Sequence, residues 1–317
     1  MLNDTESLTQ IFKGTHLEGS KIITLPVLDT DEVAFAIPTP HRQWFECWEA
    51  ARHLLSQTGR WPVNHITSGF HEIGSEFPNI EDDETFSRFF FEESPIFEKT
   101  KDPESVYPQS ILAQADQLSE ITCLQAFLKR QEDDQESLDE YVKTYRKLLQ
   151  NSAGVPTPEE IAQAQVDQPI IGRIEIERWF DQWEKAKGYQ NDPEIFEWYA
   201  PDDEDHYLLL LPITNGWDSL AYINWYGTSG LGSEYFIALG KSWEKRFGAE
   251  IVSHHGTILN CLIKRPPQTI EEAWPIAIEH LMMSECSTGN IHTYMITLRD
   301  YAHSLIGNPH WFLHERP

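Results

Sequence analysis

Residues 206–213 read HYLLLLPI. Four consecutive leucines leave no polar face, so the segment suits a strand covered on both sides. Such a strand belongs inside a sheet, and its neighbours in the chain are read as what surrounds it. Downstream, Asn215-Gly216 turns the chain, and Ser233 to Phe247 has helical spacing with Gly248 as its stop. Glu250 to Ser253 and Thr257 to Arg265 read as a strand pair across His254-His255-Gly256, ended by Pro266-Pro267. Thr269 caps a helix running to Ser284 with Glu271-Glu272 in its first turn, in which Pro275 predicts a kink or a later start. Leu298 to Ile306 is a further helix closed by Gly307, and Trp311-Phe312-Leu313 a final strand.

Upstream, Ile174 to Lys187 is a helix stopped by Gly188, and Pro158-Glu159-Glu160 opens a shorter one with acids in its first turn. SAGVPTP, residues 152–158, has linker composition. Residues 109–150 read as a helical pair with a break near Glu132 to Glu136. Residues 69–105 are loop-rich, with a short amphipathic helix around Phe86 to Phe91. Nearer the start, two short β-type runs in residues 21–37 flank Asp29-Thr30-Asp31. A helix from Arg42 to Gln57 follows, with Trp44, Phe45, Trp48, Ala51 and Leu55 at helical spacing and Gly59 as its end. Arg60 to Thr67 reads as a return strand. The class is α+β: two mixed α/β units, residues 1–105 and 166–317, joined by an acidic helical segment at 106–165.

The chain has 317 residues, 40% apolar, enough for sizeable cores. Its net charge of −27 repels phosphates and anionic headgroups, which argues against nucleic acid and membrane surfaces and for a basic protein partner. Cys47, Cys123, Cys261 and Cys286 are scattered without a C-x-x-C pair, unlike a zinc knuckle or a disulfide framework. The opening MLNDTESLTQ is polar and acidic, and no uncharged apolar run approaches a membrane span, so the cytoplasm is expected.

One internal echo stands out. Trp44 to Arg52 and Trp179 to Lys187 both read W-F-acid-x-W-E-x-A-basic, and Trp243 to Gly248 is a looser third copy. Two readings stand: an internal duplication, or a tryptophan stripe with basic residues near a helix end, which suits any amphipathic helix.

The stretch from Leu211 carries LPITNGWDSLAYINWYG, then SWEKRFGAEIVSHHGTILNCLIKRPPQTIEEAWPIAIEH, then TLRDYAHSL and WFLHERP. These segments resemble the bacterial domain of unknown function 4253 family. The matching features are Trp243 to Val252, Arg265 to Ala273, and Trp311 with Phe312; Trp48 to Val63 also resembles the upstream part of such proteins. The resemblance implies no activity, cofactor or catalytic residue.

Among individual stretches, Asn215 to Gly227 is the most unusual. It sets Trp217, Tyr222, Trp225 and Tyr226 between glycines, with Asp218 and Asn224 as polar points. Aromatics beside a strand end suit either a binding cleft or a core cap. Trp217, Asp218, Tyr222, Trp225 and Tyr226 are the binding candidates. The C-terminal part is rich in histidine, with His254-His255, His280, His292, His303, His310 and His314. It lacks H-E-x-x-H or comparable metal spacing, so neither a metal nor another cofactor is implied. Ser229 and Ser253 lack the G-x-S-x-G elbow, and the acidic runs Glu81 to Glu84 and Asp202 to Asp205 suit solvated loops. The expected function is a non-enzymatic interaction module for a basic partner, of immunity or antitoxin type. The alternatives are an enzyme using the histidine-rich part and a nucleic-acid mimic.

Overall fold

The computed structural model describes residues 1–27, 30–66, 107–130, 156–167, 172–189, 197–198, 206–223, 225, 231–255, 257–284 and 297–315. Two compact units interleave along the chain: unit 1 comprises residues 1–123, 197–265 and 310–317, and unit 2 comprises 124–196 and 266–309. The sequence reading instead divides the chain in linear order.

Unit 1 holds a seven-stranded sheet. Its strands are β1 (Ile23–Pro26), β2 (Val33–Thr39), β3 (Trp61–Ile66), β4 (His206–Leu211), β5 (Ala249–His254), β6 (Ile258–Ile263) and β7 (His310–His314), in the order β1-β2-β4-β3-β5-β6-β7. The leucine run, β4, is buried at every residue and lies between β2 and β3. β3 and β5 pair in parallel; the other neighbours are antiparallel. The α+β class holds, but the strands that the sequence reading gives to two units lie in one sheet. The reason is physical: a strand apolar on both sides needs hydrogen-bonded partners on both edges, and β2 and β3 supply them for β4.

Helices α1 (Thr5–Ile11), α2 (Trp44–His53), α3 (Leu55–Thr58), α4 (Pro108–Ala115) and α8 (Ser233–Phe247) also belong to unit 1. Gly248, at φ 65°, closes α8 where a side chain would be strained. Gly240 faces the Trp217 ring so closely that a Cβ would lie 2.0 Å from it, so only glycine fits there. Arg60 is wholly buried, donating to the carbonyls of Leu2, Val33 and Leu210 and to Asn3 Oδ1 beneath the Phe35 ring.

In unit 2, α6 (Pro158–Asp167), α7 (Arg173–Ala186), α9 (Ile270–Met283) and α10 (Leu298–Ser304) form a helical cluster, while α5 (Glu120–Arg130) begins in unit 1. Thr269 caps α9 by accepting from the Glu272 amide, and Pro275 lies inside that helix without ending it. Arg299 of α10 is buried between Glu177 and Glu184 of α7, at 2.8 and 2.9 Å. His303 Nε2 meets Asp181 at 2.9 Å, and His280 Nδ1 meets the Tyr301 hydroxyl at 2.7 Å. Among the described residues, no helix is long and apolar enough to cross a membrane. The readings at 69–105, at Glu132 to Glu136 and at the 152–155 part of the linker fall outside the described residues, as do Asp202 to Asp205, Asn224, Tyr226, Ser229, Cys286 and His292.

Candidate functional site

The aromatic candidates of the 215–227 stretch lie in the core of unit 1. Trp217 and Trp225 are fully buried and Tyr222 nearly so. The Trp217 indole donates to the Ala249 carbonyl and meets Trp243 edge to face. Trp225 meets Phe236 in the same way. The Tyr222 hydroxyl donates to Glu32 at 2.8 Å; burial first, and that carboxylate second, push its pKa up. Asp218 pairs with Lys241 at 2.9 Å, and burial raises its carboxyl despite that cation. These side chains cap a core, which is the second of the two roles such a stretch suits; Tyr226 is outside the described residues.

A different constellation emerges on the sheet. Register places Leu208, Asn64, Ser253, Asn260 and Phe312 side by side across five strands. Three polar residues thus sit at the centre of a buried row, each with no exposure. A β-bulge between Ile251 and Ser253 turns Ser253 onto this face, where its Oγ accepts from Asn260 Nδ2 at 2.7 Å. One pleat along β4, His206 Nδ1 lies 3.2 Å from Asn64 Nδ2, and its Nε2 lies 3.0 Å from His41 Nδ1. An amide nitrogen only donates, so His206 Nδ1 accepts. A neutral His206 then carries its proton on Nε2 and donates to the half-buried His41. Among the described residues, Asn64 Oδ1 and the Oγ1 of Thr39, the register partner of His206, have no hydrogen-bond partner. Two buried oxygens beside one imidazole leave this corner short of donors.

Half-buried rings border the row. Trp44 of α2 stacks on His206 at 6.5 Å and meets Trp198 at 5.8 Å; Phe45 meets Trp198 at 5.0 Å, and Trp198 meets His310 at 4.3 Å. The Trp198 indole is anchored to the Cys261 carbonyl at 3.1 Å. Burial pushes the His310 imidazole down, against the opposing pull of Glu197.

On the other side of the strands, His65 and His254 face each other at 5.8 Å. Burial lowers His65 to about 4, with His206 adding to the effect and a backbone hydrogen bond opposing it. Burial, followed by His65, His254 and His206, holds His255 well below the ordinary imidazole range. Burial thus disfavours the charged form at His65 and His255. Among the described residues, no three His, Cys, Asp or Glu side chains are arranged to hold a metal ion. The partner of Ser253 Oγ is an amide, which does not activate a nucleophile.

Sequence reasoning missed the row and its border because they join residues 41–64 to 198–312. The sequence did carry one sign: Asn64, Ser253 and Asn260 are small polar residues inside segments that read as strands.

Residues 207–314 match the family model described as Domain of unknown function (DUF4253). The match spans β4 to β7 apart from His206, whereas Asn64, Trp44, Phe45 and Trp198 lie outside it. The site thus joins residues of the matched segment to residues beyond it. No curated protein and no solved structure matches the chain.

Proposed function

We propose that the protein is a non-enzymatic interaction module for a basic partner, in the manner of an immunity or antitoxin factor. The supporting observation is how the chain uses its few cations. Arg52, Lys185, Lys187, Lys241, Arg246, Lys264 and Arg299 each pair with a carboxylate of the same chain, and Arg60 is buried on carbonyl oxygens. With 51 acidic against 24 basic residues, the surface keeps a negative excess that attracts cations. A pull-down from host lysate at low and moderate salt tests this. A basic protein that elutes as salt rises supports the reading, and an empty eluate from folded bait sinks it.

A second reading, an enzyme of unrecognised type, is favoured by the chain from Asn64 through His206 to His41. It links the buried row to a half-buried imidazole and suits proton transfer. Its test is a screen of hydrolase and transferase substrates with His41→Phe alongside wild type. Turnover that the variant lacks supports it; turnover equal in both removes this histidine from any mechanism.

A further inference from the structure

We propose that the ring cluster of Trp44, Phe45 and Trp198, bordered by His310 and Glu197, seats an arginine side chain of a basic protein partner. The inference rests on the interaction reading above and gives it a place and a chemistry. Half-buried rings that meet at 5.0 and 5.8 Å present faces and edges on which a flat cation stacks. Elsewhere the chain fills such positions itself: Arg52 lies over Trp61, Arg60 over Phe35, Arg299 over Phe180 and Lys187 over Trp183. Among the described residues, no cation of the chain lies over Trp44, Phe45 or Trp198.

Charge around the cluster has the matching sign. Glu197 is exposed and acts on His310 at the cluster's edge. Glu49, also exposed, follows Phe45 by one helical turn on α2. Arg42, exposed two positions before Trp44, opposes them. The excess is negative here as in the whole chain.

Arginine fits better than lysine for two reasons. Its guanidinium is planar and weakly hydrated, so it stacks on indole at low desolvation cost, whereas an ammonium is compact and strongly hydrated. It also brings several N–H donors in a planar fork, which suit the exposed Glu197 carboxylate at the cluster's edge.

The experiment uses the full chain with fluorescein-labelled octa-arginine and octa-lysine peptides, read by fluorescence anisotropy at low and physiological salt. Octa-arginine is expected to bind more tightly than octa-lysine. Trp198→Ala is expected to weaken the arginine peptide about 3- to 30-fold while changing the lysine peptide little. Circular dichroism checks the fold of each variant. Where Trp198→Ala does not fold, Trp198→Phe and the exposed Glu197→Gln carry the test, and both weaken the arginine peptide. Folded variants that bind octa-arginine as wild type does overturn the cluster as the seat while leaving the acidic interaction reading standing. Wild-type protein that binds neither peptide at low salt overturns both.

Discussion

Helices α2 and α7 carry the same nine-residue spelling and bury opposite faces of it. In α2, Cys47, Trp48 and Ala51 point inward, and the Trp48 indole donates to the Pro62 carbonyl of β3. The matching positions of α7 are Gln182, Trp183 and Ala186, which are exposed, half-buried and exposed. α7 instead buries Phe180, Asp181 and Glu184, whose counterparts Phe45, Glu46 and Glu49 are half-buried, exposed and exposed. Duplicated helices would bury matching positions. W-F-acid-x-W-E thus fixes a helix but not its inward face. One face packs rings on a sheet, while the other turns carboxylates onto Arg299.

If the faces differ as described, the largest effect falls on the ionic side. Arg299→Met strands Glu177 and Glu184 in the interior and should cost about 3–5 kcal/mol in urea unfolding, with amide exchange accelerated in α7 and α10. A loss below about 1 kcal/mol would break the comparison, since α7 would then not depend on its buried acids. Next come the paired tryptophans. Trp48→Ala should cost about 3–5 kcal/mol, but Trp183→Ala only about 1 kcal/mol, because the second ring keeps part of its surface in water. Equal costs would mean that the helices present the same face.

Acid should separate the units as well. His65 has a folded pKa near 4, below its ordinary 6.5, so between those values the unfolded chain binds more protons and unit 1 loses stability as pH falls. The full loss for His65 is on the order of 3 kcal/mol, and His255 adds in the same direction. In α7, burial would raise Asp181, but hydrogen bonds from His303 and Lys185 outweigh it and hold the carboxyl below 3.8. Its stabilisation is therefore lost only at lower pH. Across pH 6.5 to 4, amide protection factors, which divide out the intrinsic slowing of exchange in acid, should fall in β3 and β5 before α7, and His65→Gln should flatten the change; simultaneous opening would contradict the assignment. The smallest effect sharpens the alignment itself. Glu49→Ala should stay within about 0.5 kcal/mol of wild type, whereas Glu184→Ala, at the matching position, should cost several times more in the same thermal melts.

Local signals made much of the fold legible. The leucine run named the interior strand, Gly248 the end of α8, and Thr269 the start of α9, because each acts over a few residues. Sheet partners were not legible. Nothing in HYLLLL says that β2 and β3 flank it, since pairing depends on segments far apart in the chain. The aromatic stretch 215–227 left two roles open for a related reason: composition shows that Trp217 and Trp225 are large and apolar, not whether Gly240 and Phe236 close over them. The candidate site was visible only as polar interruptions in strands.

The sheet order also bears on how the protein is made. β2 and β3 each need β4 as a neighbour, yet residues 67–205 separate the end of β3 from the start of β4. A ribosome therefore releases two strands with open edges well before their shared partner exists. Open edges held for that long predict a yield that depends on chaperone supply and on elongation speed through that stretch.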